Sequence, residues 1–434
     1  MPWKETVALN ERMKFVMECE LGEETMSALC VAYGVSRRVG YKWLGRYSEC
    51  GVEGLMDQSR APQHHPNALS EAVEEAVLAL RVAHPTWGPR KLLAVLERDR
   101  PGPGPRPRKG WPAASTIGAL LARRGLSVPR KRRRRVAPGA GAKPFADYLL
   151  PNDLWCIDFK GWFITGDGSR CDPLTLSDAS SRYILRCQAM KETSGRAVRP
   201  VLEAAFREYG LPRAIRSDNG SPFASRAVAG LSPLSVWWMK LGIVHERITP
   251  GCPQENGRHE RMHLTLKKET ASPPAANPRR QQERFDAFGR EFNEDRPHEA
   301  LGMATPDSCY ERSEREYPAR LAEVEYPEAT AQGGWLVRRV QKAGEFYWKH
   351  EKVFMSEVLG DEPIGLEPVD DRYWRAWFGA VSLGVFDSHK REMLIGTDAR
   401  RWKRRHAAPP VEPPSATLQG APPANTKVLP MSQV

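Results

Sequence analysis

The sequence lacks the cysteine spacings that hold a metal ion or form a disulfide framework. Its eight cysteines are scattered along the chain: Cys19, Cys30, Cys50, Cys156, Cys171, Cys187, Cys252 and Cys309. No CxxC spacing occurs, and no cysteine pairs with closely spaced histidines, so a zinc-binding motif is not indicated. A disulfide framework is equally unexpected, and this cysteine usage fits a reducing cytosol.

Long apolar stretches are also missing. No run approaches the roughly 18 residues needed to span a bilayer, and the N-terminus does not have the pattern of a signal peptide. No P-loop is present either, so nothing indicates a nucleotide cofactor. We therefore expect neither a membrane nor a nucleotide cofactor among the partners of this chain.

Positive charge is present in excess. The chain has 65 Lys and Arg against 53 Asp and Glu, a formal net charge of +12. This balance favours a polyanionic partner over an acidic one. With 434 residues, the chain is long enough for several domains that each bury a core.

The stretch 249–268 concentrates chemically active side chains. It opens with proline and glycine turn residues and continues as a predicted helix. On that helix Glu260, His263 and Lys267 are three and four residues apart, so they share one face. A carboxylate beside two potentially cationic groups suits a metal ion and a phosphate better than it suits packing.

Two further acids lie upstream in strand-like surroundings. Asp158 lies inside the aromatic and β-branched run 154–163, and Asp218 ends the run 214–218, directly before an Asn-Gly turn. Burying an unpaired charge is costly, so an acid within such a run implies a partner. A mid-strand acid, a strand-end acid and a helix acid therefore follow one another along the chain.

This ordered set resembles the Asp-Asp-Glu signature of integrase-type transposases, the retroviral-integrase-like enzymes of bacterial insertion sequences. The resemblance is carried by Asp158, by Ser217-Asp218-Asn219-Gly220 and by Pro253-Gln-Glu-Asn-Gly-Arg-His-Glu260. It continues through Phe292-Asn-Glu-Asp-Arg-Pro-His-Glu-Ala-Leu301, Thr305-Pro306 and Tyr310. The gap between Asp218 and Glu260 is a few residues longer than in many relatives, which we assign to an insertion around 231–234. The zinc-binding amino-terminal module of retroviral integrases has no counterpart here.

The resemblance implies a ribonuclease-H-like α/β core in which Asp158, Asp218 and Glu260 are the catalytic and metal-binding residues. Two Mg²⁺ (or Mn²⁺) ions per active site would clamp an in-line displacement from about 3.5–4 Å apart. Asp158 would bridge both ions, with Asp218 on one and Glu260 on the other. Water would first free a 3′-hydroxyl at the end of the element, and this hydroxyl would then attack target DNA.

The implied partner is double-stranded DNA, both element ends and target, with the protein acting as a homo-oligomer on DNA. His263 and Lys267 are expected to steer phosphate, while Arg258 and His259 either do likewise or belong to a solvated surface. The implied location is the bacterial cytoplasm, in association with the nucleoid. Asp178, the main rival carboxylate, is assigned to a turn between two strands, where Asp commonly serves structure.

Residues 1–62 are predicted to form a helix-turn-helix DNA-binding domain. A predicted helix and a glycine turn lead to Ser36, which can cap a second helix that carries Arg37, Arg38 and Lys42. In such motifs the second helix lies in the major groove, so these three residues are predicted DNA contacts. A small helical protein-binding domain is the alternative for this segment.

A second helix-turn-helix-like domain is predicted for residues 66–128, followed by a basic flexible linker at 129–147. The linker contains six successive basic residues that can neutralise DNA phosphates: Arg130, Lys131, Arg132, Arg133, Arg134 and Arg135. A nuclear-localisation signal is possible from the run alone, but its place between a reader domain and a core favours a DNA-tracking arm.

The predicted catalytic core occupies residues 148–312, and a charged helix is predicted for 311–326. Short strands separated by turns then predict a small all-β domain at 327–395, which we expect to be an SH3-like barrel. Residues 400–434 are predicted to form a basic cluster and a disordered tail. The fold class is therefore multidomain: an α-helical helix-turn-helix region, an α/β core and a small β-barrel.

Two other functions fit parts of this pattern. A sequence-specific DNA-binding regulator could carry an inactive integrase core, although all three acids are present. A nuclease that hydrolyses DNA without joining it is also compatible with a ribonuclease-H-like fold. The two predicted helix-turn-helix units favour transposition, because a general nuclease needs no sequence reader.

Overall fold

The computed structural model describes residues 8–57, 68–99, 110–127, 148–249, 256–327 and 334–406. The chain divides into two compact units, Met1–Glu74 and Glu75–Val434. The predicted basic linker with Arg130 to Arg135 and the predicted tail beyond residue 406 lie outside the described residues. Within the described ranges, none of the helices is both long enough and apolar enough to cross a membrane.

The first unit is built from three helices. They are α1 (Ala8–Leu21), α2 (Met26–Ala32) and α3 (Arg37–Cys50), followed by a 3₁₀ turn at Gly51–Leu55. Gly34 turns the chain with a positive φ of 65°, and the Ser36 hydroxyl accepts the backbone N–H of Val39 at 3.4 Å. The helix start at Arg37 is therefore the one predicted from the serine cap. Phe15 and Trp43 are buried in the core between the helices.

Three more helices precede the sheet in the second unit. They are α4 (Glu71–Ala83, which begins at the end of the first unit), α5 (Pro89–Asp99) and α6 (Ala114–Arg123). Leu92 and Ile117 are fully buried between them. The guanidinium of Arg81 donates to the carbonyl oxygens of Trp87 and Leu126, which ties both connecting segments to α4.

A six-stranded mixed sheet forms the centre of the second unit. Its strands are β1 (Leu154–Phe159), β2 (Phe163–Ile164), β3 (Arg170–Asp178), β4 (Ile184–Met190), β5 (Ala214–Ser217) and β6 (Val244–Arg247). β3 pairs antiparallel with β1, β2 and β4, whereas β1, β5 and β6 are parallel to one another. The long predicted strand at 154–163 is interrupted after Phe159, and both pieces pair with β3.

Helices cover both faces of this sheet. They are α7 (Gly195–Tyr209), α8 (Pro233–Lys240), α9 (Gly257–Thr270) and α10 (Pro278–Arg290). Side chains alternate between the two faces of a strand, so Trp155 and Ile157 of β1 pack against α7 and α8. Asp158 lies between Ile157 and Phe159, which packs against the same core, so it points to the other face. That face is covered by Met262 of α9 and by residues of α10.

The predicted insertion at 231–234 leads into α8. Ser232 caps this helix in a reciprocal capping box with Ser235. Leu231 packs into the core of the C-terminal strands, while Leu234 packs into the core of the sheet. Residues 231–234 therefore connect two hydrophobic cores.

The predicted helix at 311–326 is not present. The structure shows an irregular segment there, and Pro318 explains part of the difference because proline cannot donate a helical hydrogen bond. The backbone instead binds the core: Leu211 N–H donates to Arg315 O at 2.7 Å, and Ser313 N–H donates to Tyr209 O at 3.0 Å.

The C-terminal part is rich in β-structure, as expected. Its strands are β7 (Leu336–Arg339), β8 (Glu345–Trp348), β9 (Glu351–Phe354), β10 (Pro363–Pro368), β11 (Tyr373–Phe378), β12 (Val381–Asp387) and β13 (Glu392–Leu394). They form a five-stranded sheet, ordered β13-β12-β11-β10-β7, and a separate β8–β9 hairpin. An SH3-like barrel stays a prediction. Helix α11 (Gly396–Arg405) follows, with Trp402 buried and its basic residues exposed.

Two glycines of α3 give a matched test of packing in the first unit. A Cβ at Gly40 would lie 2.7 Å from Cys30 Sγ and 2.9 Å from Phe15 Cζ, whereas a Cβ at Gly45 meets nothing within 4 Å. We expect Gly40→Ala to destabilise this unit by about 1–3 kcal/mol through overpacking. Gly45→Ala should stabilise it by up to about 1 kcal/mol, because alanine favours the helix. Hydrogen exchange of the α1–α3 amides in the full chain measures both, and equal effects at the two positions would contradict the packing.

Candidate active site

Asp158 and Asp218 occupy matched positions on two adjacent parallel strands. Cys156 of β1 pairs with Arg216 of β5, and each acid follows two residues later. The carboxyl ends of parallel strands lie at the same edge of a sheet. Both carboxyl groups therefore lie at one edge, where β1 ends and where β5 passes into its turn.

The Asn-Gly turn fixes the position of Asp218. Its Oδ1 accepts the backbone N–H of Gly220 at 3.1 Å, and Asn219 Nδ2 donates to Ile248 O at 2.7 Å, just after β6. A Cβ at Gly220 would lie 3.0 Å from Asp218 Oδ2. Glycine therefore leaves room for the turn to close beneath the carboxylate.

Glu260 is exposed in the first turn of α9. The same helix buries Met262, His263 and Leu266, so it is anchored firmly to the sheet. The prediction that Glu260, His263 and Lys267 share one accessible helix face is therefore only partly met. Glu260 and Lys267 are exposed, but the side chain of His263 is only 1 % exposed. His263 therefore lies beneath the surface and not on a face that could steer phosphate.

Hydroxyl groups of β3 and histidines of α9 form a buried polar network. Thr175 Oγ1 lies 2.7 Å from His259 Nε2 and 2.6 Å from His263 Nε2, and it donates to Asp158 O at 3.1 Å. Ser177 Oγ lies 2.8 Å from His259 Nδ1. The network connects the helix that carries Glu260 with the strand that carries Asp158.

The hydrogen-bond directions follow from the single proton of the Thr175 hydroxyl. Since that proton goes to Asp158 O, both Nε2 atoms donate to Thr175, and Ser177 donates to the free Nδ1 of His259. Burial lowers the pKa of His259 to about 3 and that of His263 to about 2. Both rings are therefore neutral, so the 3.8 Å approach of His263 Nδ1 to Asp158 Oδ2 is not an ion pair.

The three acids influence one another electrostatically. Burial, together with the negative charges of Asp218 and Glu260, raises the pKa of Asp158 to about 7, while Lys160 acts in the opposite direction. Both carboxylates thus lie within electrostatic reach of Asp158. Like charges at close range disfavour the ionised form, and a bound cation relieves that repulsion.

The chemistry of these donors fits a hard divalent cation. Mg²⁺ prefers oxygen ligands and usually takes one or two carboxylates together with waters and substrate phosphates. Among the described residues, no group of three or more His, Cys, Asp or Glu side chains converges closely enough to hold an ion by itself. The acids thus form an open edge and not a closed protein cage.

The other predicted site residues have different positions. Arg37, Arg38 and Lys42 are exposed on α3, and Lys267 is exposed on α9. Asp178 is buried, as its structural assignment requires, and accepts the backbone N–H groups of Ser180 and Ser181 in its turn and of Asn152, which lies just before β1.

Sequence reasoning missed the roles of Thr175, Ser177 and His259. The available signal was the alternation of hydroxyl residues with leucines along β3 and the four-residue spacing of His259 and His263 on α9. His259, which was expected at the surface, is buried. The spacing indicates one helix face but cannot say whether that face meets solvent or a strand.

Comparison with known proteins gives matches along most of the described chain. Two family models described as integrase core domain match residues 149–253 and 241–306, and a homeodomain-like domain matches residues 39–121. The last match extends from α3 to α6, so it covers parts of both predicted helix-turn-helix regions.

Similar proteins come from bacterial insertion elements. The IS476 protein of Xanthomonas euvesicatoria is 26% identical over 273 residues, which are 63% of this chain and 74% of that protein. The IS407 protein of Burkholderia multivorans is 27% identical over 284 residues, 63% of this chain and 94% of that protein. The magnesium-bound catalytic core of HTLV-2 integrase aligns over 38% of this chain and 99% of that core at 17% identity, with a TM-score of 0.30, and adds no weight to the assignment.

Together the two integrase core matches cover the segment that contains Asp158, Asp218 and Glu260. The chain thus contains matches to the integrase core domain and is similar to proteins of bacterial insertion elements, and these findings support an integrase-type transposase, a polynucleotidyl transferase.

Proposed function

We propose that this chain is an integrase-type transposase that binds the ends of its insertion element and integrates them into target DNA, using Asp158, Asp218 and Glu260 as its catalytic residues. The observation that carries the proposal is the matched placement of Asp158 and Asp218 on adjacent parallel strands, with Glu260 within electrostatic reach. Acids distant in sequence would have little reason to lie within electrostatic reach of one another for structural purposes, because their repulsion costs stability.

Integrase cores are metal-dependent, and the donor oxygens described above fit Mg²⁺ or Mn²⁺. In our proposal the carboxylates of Asp158, Asp218 and Glu260 would hold two such ions. When bound, they supply positive charge to the attacking and leaving oxygens of the phosphodiester. Phosphate oxygens of the DNA complete the open edge of the site.

The chain itself orients these acids and attracts DNA. The Asn-Gly turn positions Asp218, and the buried Thr175–histidine network holds α9, and with it Glu260, against β3. Exposed Lys267 contributes positive charge near the site. These elements are preformed, so little rearrangement opposes the reaction.

A homeodomain-like match and a basic composition imply DNA binding. We assign recognition of the element ends to Arg37, Arg38 and Lys42 on α3, and phosphate neutralisation to the linker run from Arg130 to Arg135. Two ends must be brought together, so we propose that the protein acts as a homo-oligomer on DNA. Its place of action would be the bacterial cytoplasm, at the nucleoid.

Asp158→Asn tests the catalytic assignment. We expect loss of both end cleavage and strand transfer, by a factor of 10³ or more given the usual weight of electrostatic stabilisation, with binding to end DNA nearly unchanged. Assays with Mg²⁺ on labelled end duplexes measure cleavage and joining, and anisotropy measures binding. A variant that still joins DNA contradicts the assignment. A wild-type protein that only binds would favour a regulator, and one that only nicks would favour a nuclease.

The same substitution should stabilise the metal-free protein. The pKa of Asp158 rises from its ordinary value of 3.8 to about 7 on folding, so the folded state keeps the proton longer than the unfolded state. Its stability therefore falls as pH rises from about 4 to about 7 and is constant above that. Asp158→Asn removes the penalty, and we expect a gain approaching about 4 kcal/mol at pH 8 and little gain at pH 4.

Denaturant unfolding in EDTA measures this difference. Added Mg²⁺ should stabilise the wild-type protein but not the variant, because metal binding to the native state shifts the unfolding equilibrium. An equal or lower stability of Asp158→Asn at pH 8 would show that folding does not raise the pKa of the Asp158 carboxyl group.

Thr175→Val tests whether the polar network positions α9. Valine removes the hydroxyl but keeps the shape, leaving two buried imidazoles without their acceptor at a cost of about 1–3 kcal/mol. We expect strand transfer to fall at least tenfold while DNA binding persists. Thr175→Ser, which keeps the hydroxyl, should restore most of the rate. If serine is as impaired as valine, the side chain acts through packing and not through its hydrogen bonds.

A further inference from the structure

A large cleft separates helices α5 and α6 from the face of the core that carries α9. It has a volume of about 1440 Å³ and extends from Gly257, three residues before Glu260, to Lys268 and Glu269 on the same helix. Small-molecule sites usually occupy about 300–1,000 Å³ and are mostly apolar. The volume of this cleft exceeds that range, and its many basic side chains suit a polyanion better than a small ligand.

Positive charge dominates the lining. Six lining residues are basic: Arg90, Lys91, Arg182, Arg261, Lys268 and Arg296. The three acidic ones are already engaged. Asp178 accepts hydrogen bonds from its own turn, Glu269 is bound by Arg296, and Glu299 lies 3.7 Å from Arg90.

Lys91 and Lys268 have no ion pair in the part of the chain that the structure describes, and Lys91 is only half-exposed. Burial and the nearby Arg296 guanidinium lower the pKa of Lys91 to about 8. Burial and the charges of Lys91, Arg296 and Arg182 likewise lower the pKa of His298 to about 3. The cleft therefore concentrates cations that repel one another, and an anion would relieve that repulsion.

Two further groups in the cleft lack partners for hydrogen bonding. The buried Nε2 atom of His298 has no partner within the described ranges. Helix α6 begins at Ala114 without a side-chain cap, and Ser115 of its first turn lines the cleft. Uncapped N–H groups at a helix start favour an anionic ligand, and here they add to a site already rich in cations.

We propose that this cleft binds the sugar–phosphate backbone of the DNA strand next to the reacting phosphodiester, with Lys91 and Lys268 as phosphate contacts. This inference rests on the proposed function, because it places the strand alongside the helix that carries Glu260. From Gly257 to Lys268 the helix rises by about 16 Å, the length of about five nucleotides at 3.4 Å each. Helices α4, α5 and α6, which we call the clamp, then hold the DNA strand against α9, in addition to any role in reading the DNA sequence.

The clamp is held to the core by direct contacts. Thr86 binds Glu269, His84 lies 3.4 Å from Glu291, and Arg98 donates to Asp295 O at 3.4 Å. These contacts flank the cleft and involve neither Lys91 nor Lys268. An acidic peptide would also be attracted by this charge, but continuity with the catalytic helix favours DNA.

The salt dependence of DNA binding tests the proposal in the full-length protein. The probe is a fluorescent duplex that carries one element end, with its affinity measured across a range of NaCl concentrations. Each lost phosphate contact should make the slope of log affinity against log salt less steep by about 0.9. We expect this change for Lys91→Met and for Lys268→Met, and about twice the change for the double variant.

Arg320→Met is the matched control, because Arg320 is an exposed cation outside the cleft and should leave the slope unchanged. Lys91→Met should fold normally, with an unchanged or higher thermal midpoint, since it removes a repelled charge. Neutral methylphosphonate linkages, placed one at a time beside the cleavage site, should weaken wild-type binding at one or two positions and have no further effect in the variants.

The inference is overturned if the wild-type protein joins DNA while both lysine variants keep the wild-type slope. It is also overturned if the variants change only the association between protein copies in sedimentation, which would assign the cleft to an acidic segment of a second copy. Failure of the proposed function would look different, because the wild-type protein would then not join DNA under any of these conditions.

Discussion

The parallel pairing of β1 with β5 is the constraint on which the proposed catalytic edge depends. It brings Asp158 and Asp218, sixty positions apart in sequence, to the same end of the sheet. The pairing is supported from behind by Trp155 and Ile157, which are fully buried against α7 and α8. The hydrophobic core thus offsets the electrostatic cost of placing like charges side by side, as sites built for cation binding require.

Helix α9 depends on the same sheet by a second route. Its apolar residues Met262 and Leu266 pack into a core with α10, and its two histidines hydrogen-bond to hydroxyl groups of β3. Hydrogen bonds are directional, so this attachment fixes the rotation of the helix more closely than apolar packing does. The rotation matters because Glu260 and the exposed cations of α9 share one side of the helix.

The C-terminal sheet is joined to the catalytic core through α8 and the turn before it. Val228, Leu231 and Val236 belong to the hydrophobic core of the C-terminal strands, and the ion pair between Lys240 and Glu362 adds a polar link at 2.8 Å. The segment between Asp218 and Glu260 is therefore an attachment site for the C-terminal strands.

The sequence by itself determined much of this architecture. These features are local patterns, which depend on the conformational preferences of neighbouring residues. They are the strand runs around Asp158 and before Asp218, the Asn-Gly turn, the serine cap at Ser36 and the order of the three acids. The helix expected at 311–326 failed because charge and propensity were outweighed by hydrogen bonds to the core. Burial of His259 and His263 could not be predicted either, since helical spacing defines a face but not what covers it. Long-range packing, which no local pattern encodes, decides that this face meets β3. It also brings Lys91 into one cleft with Lys268 and Arg296, which lie 177 and 205 positions further along the chain.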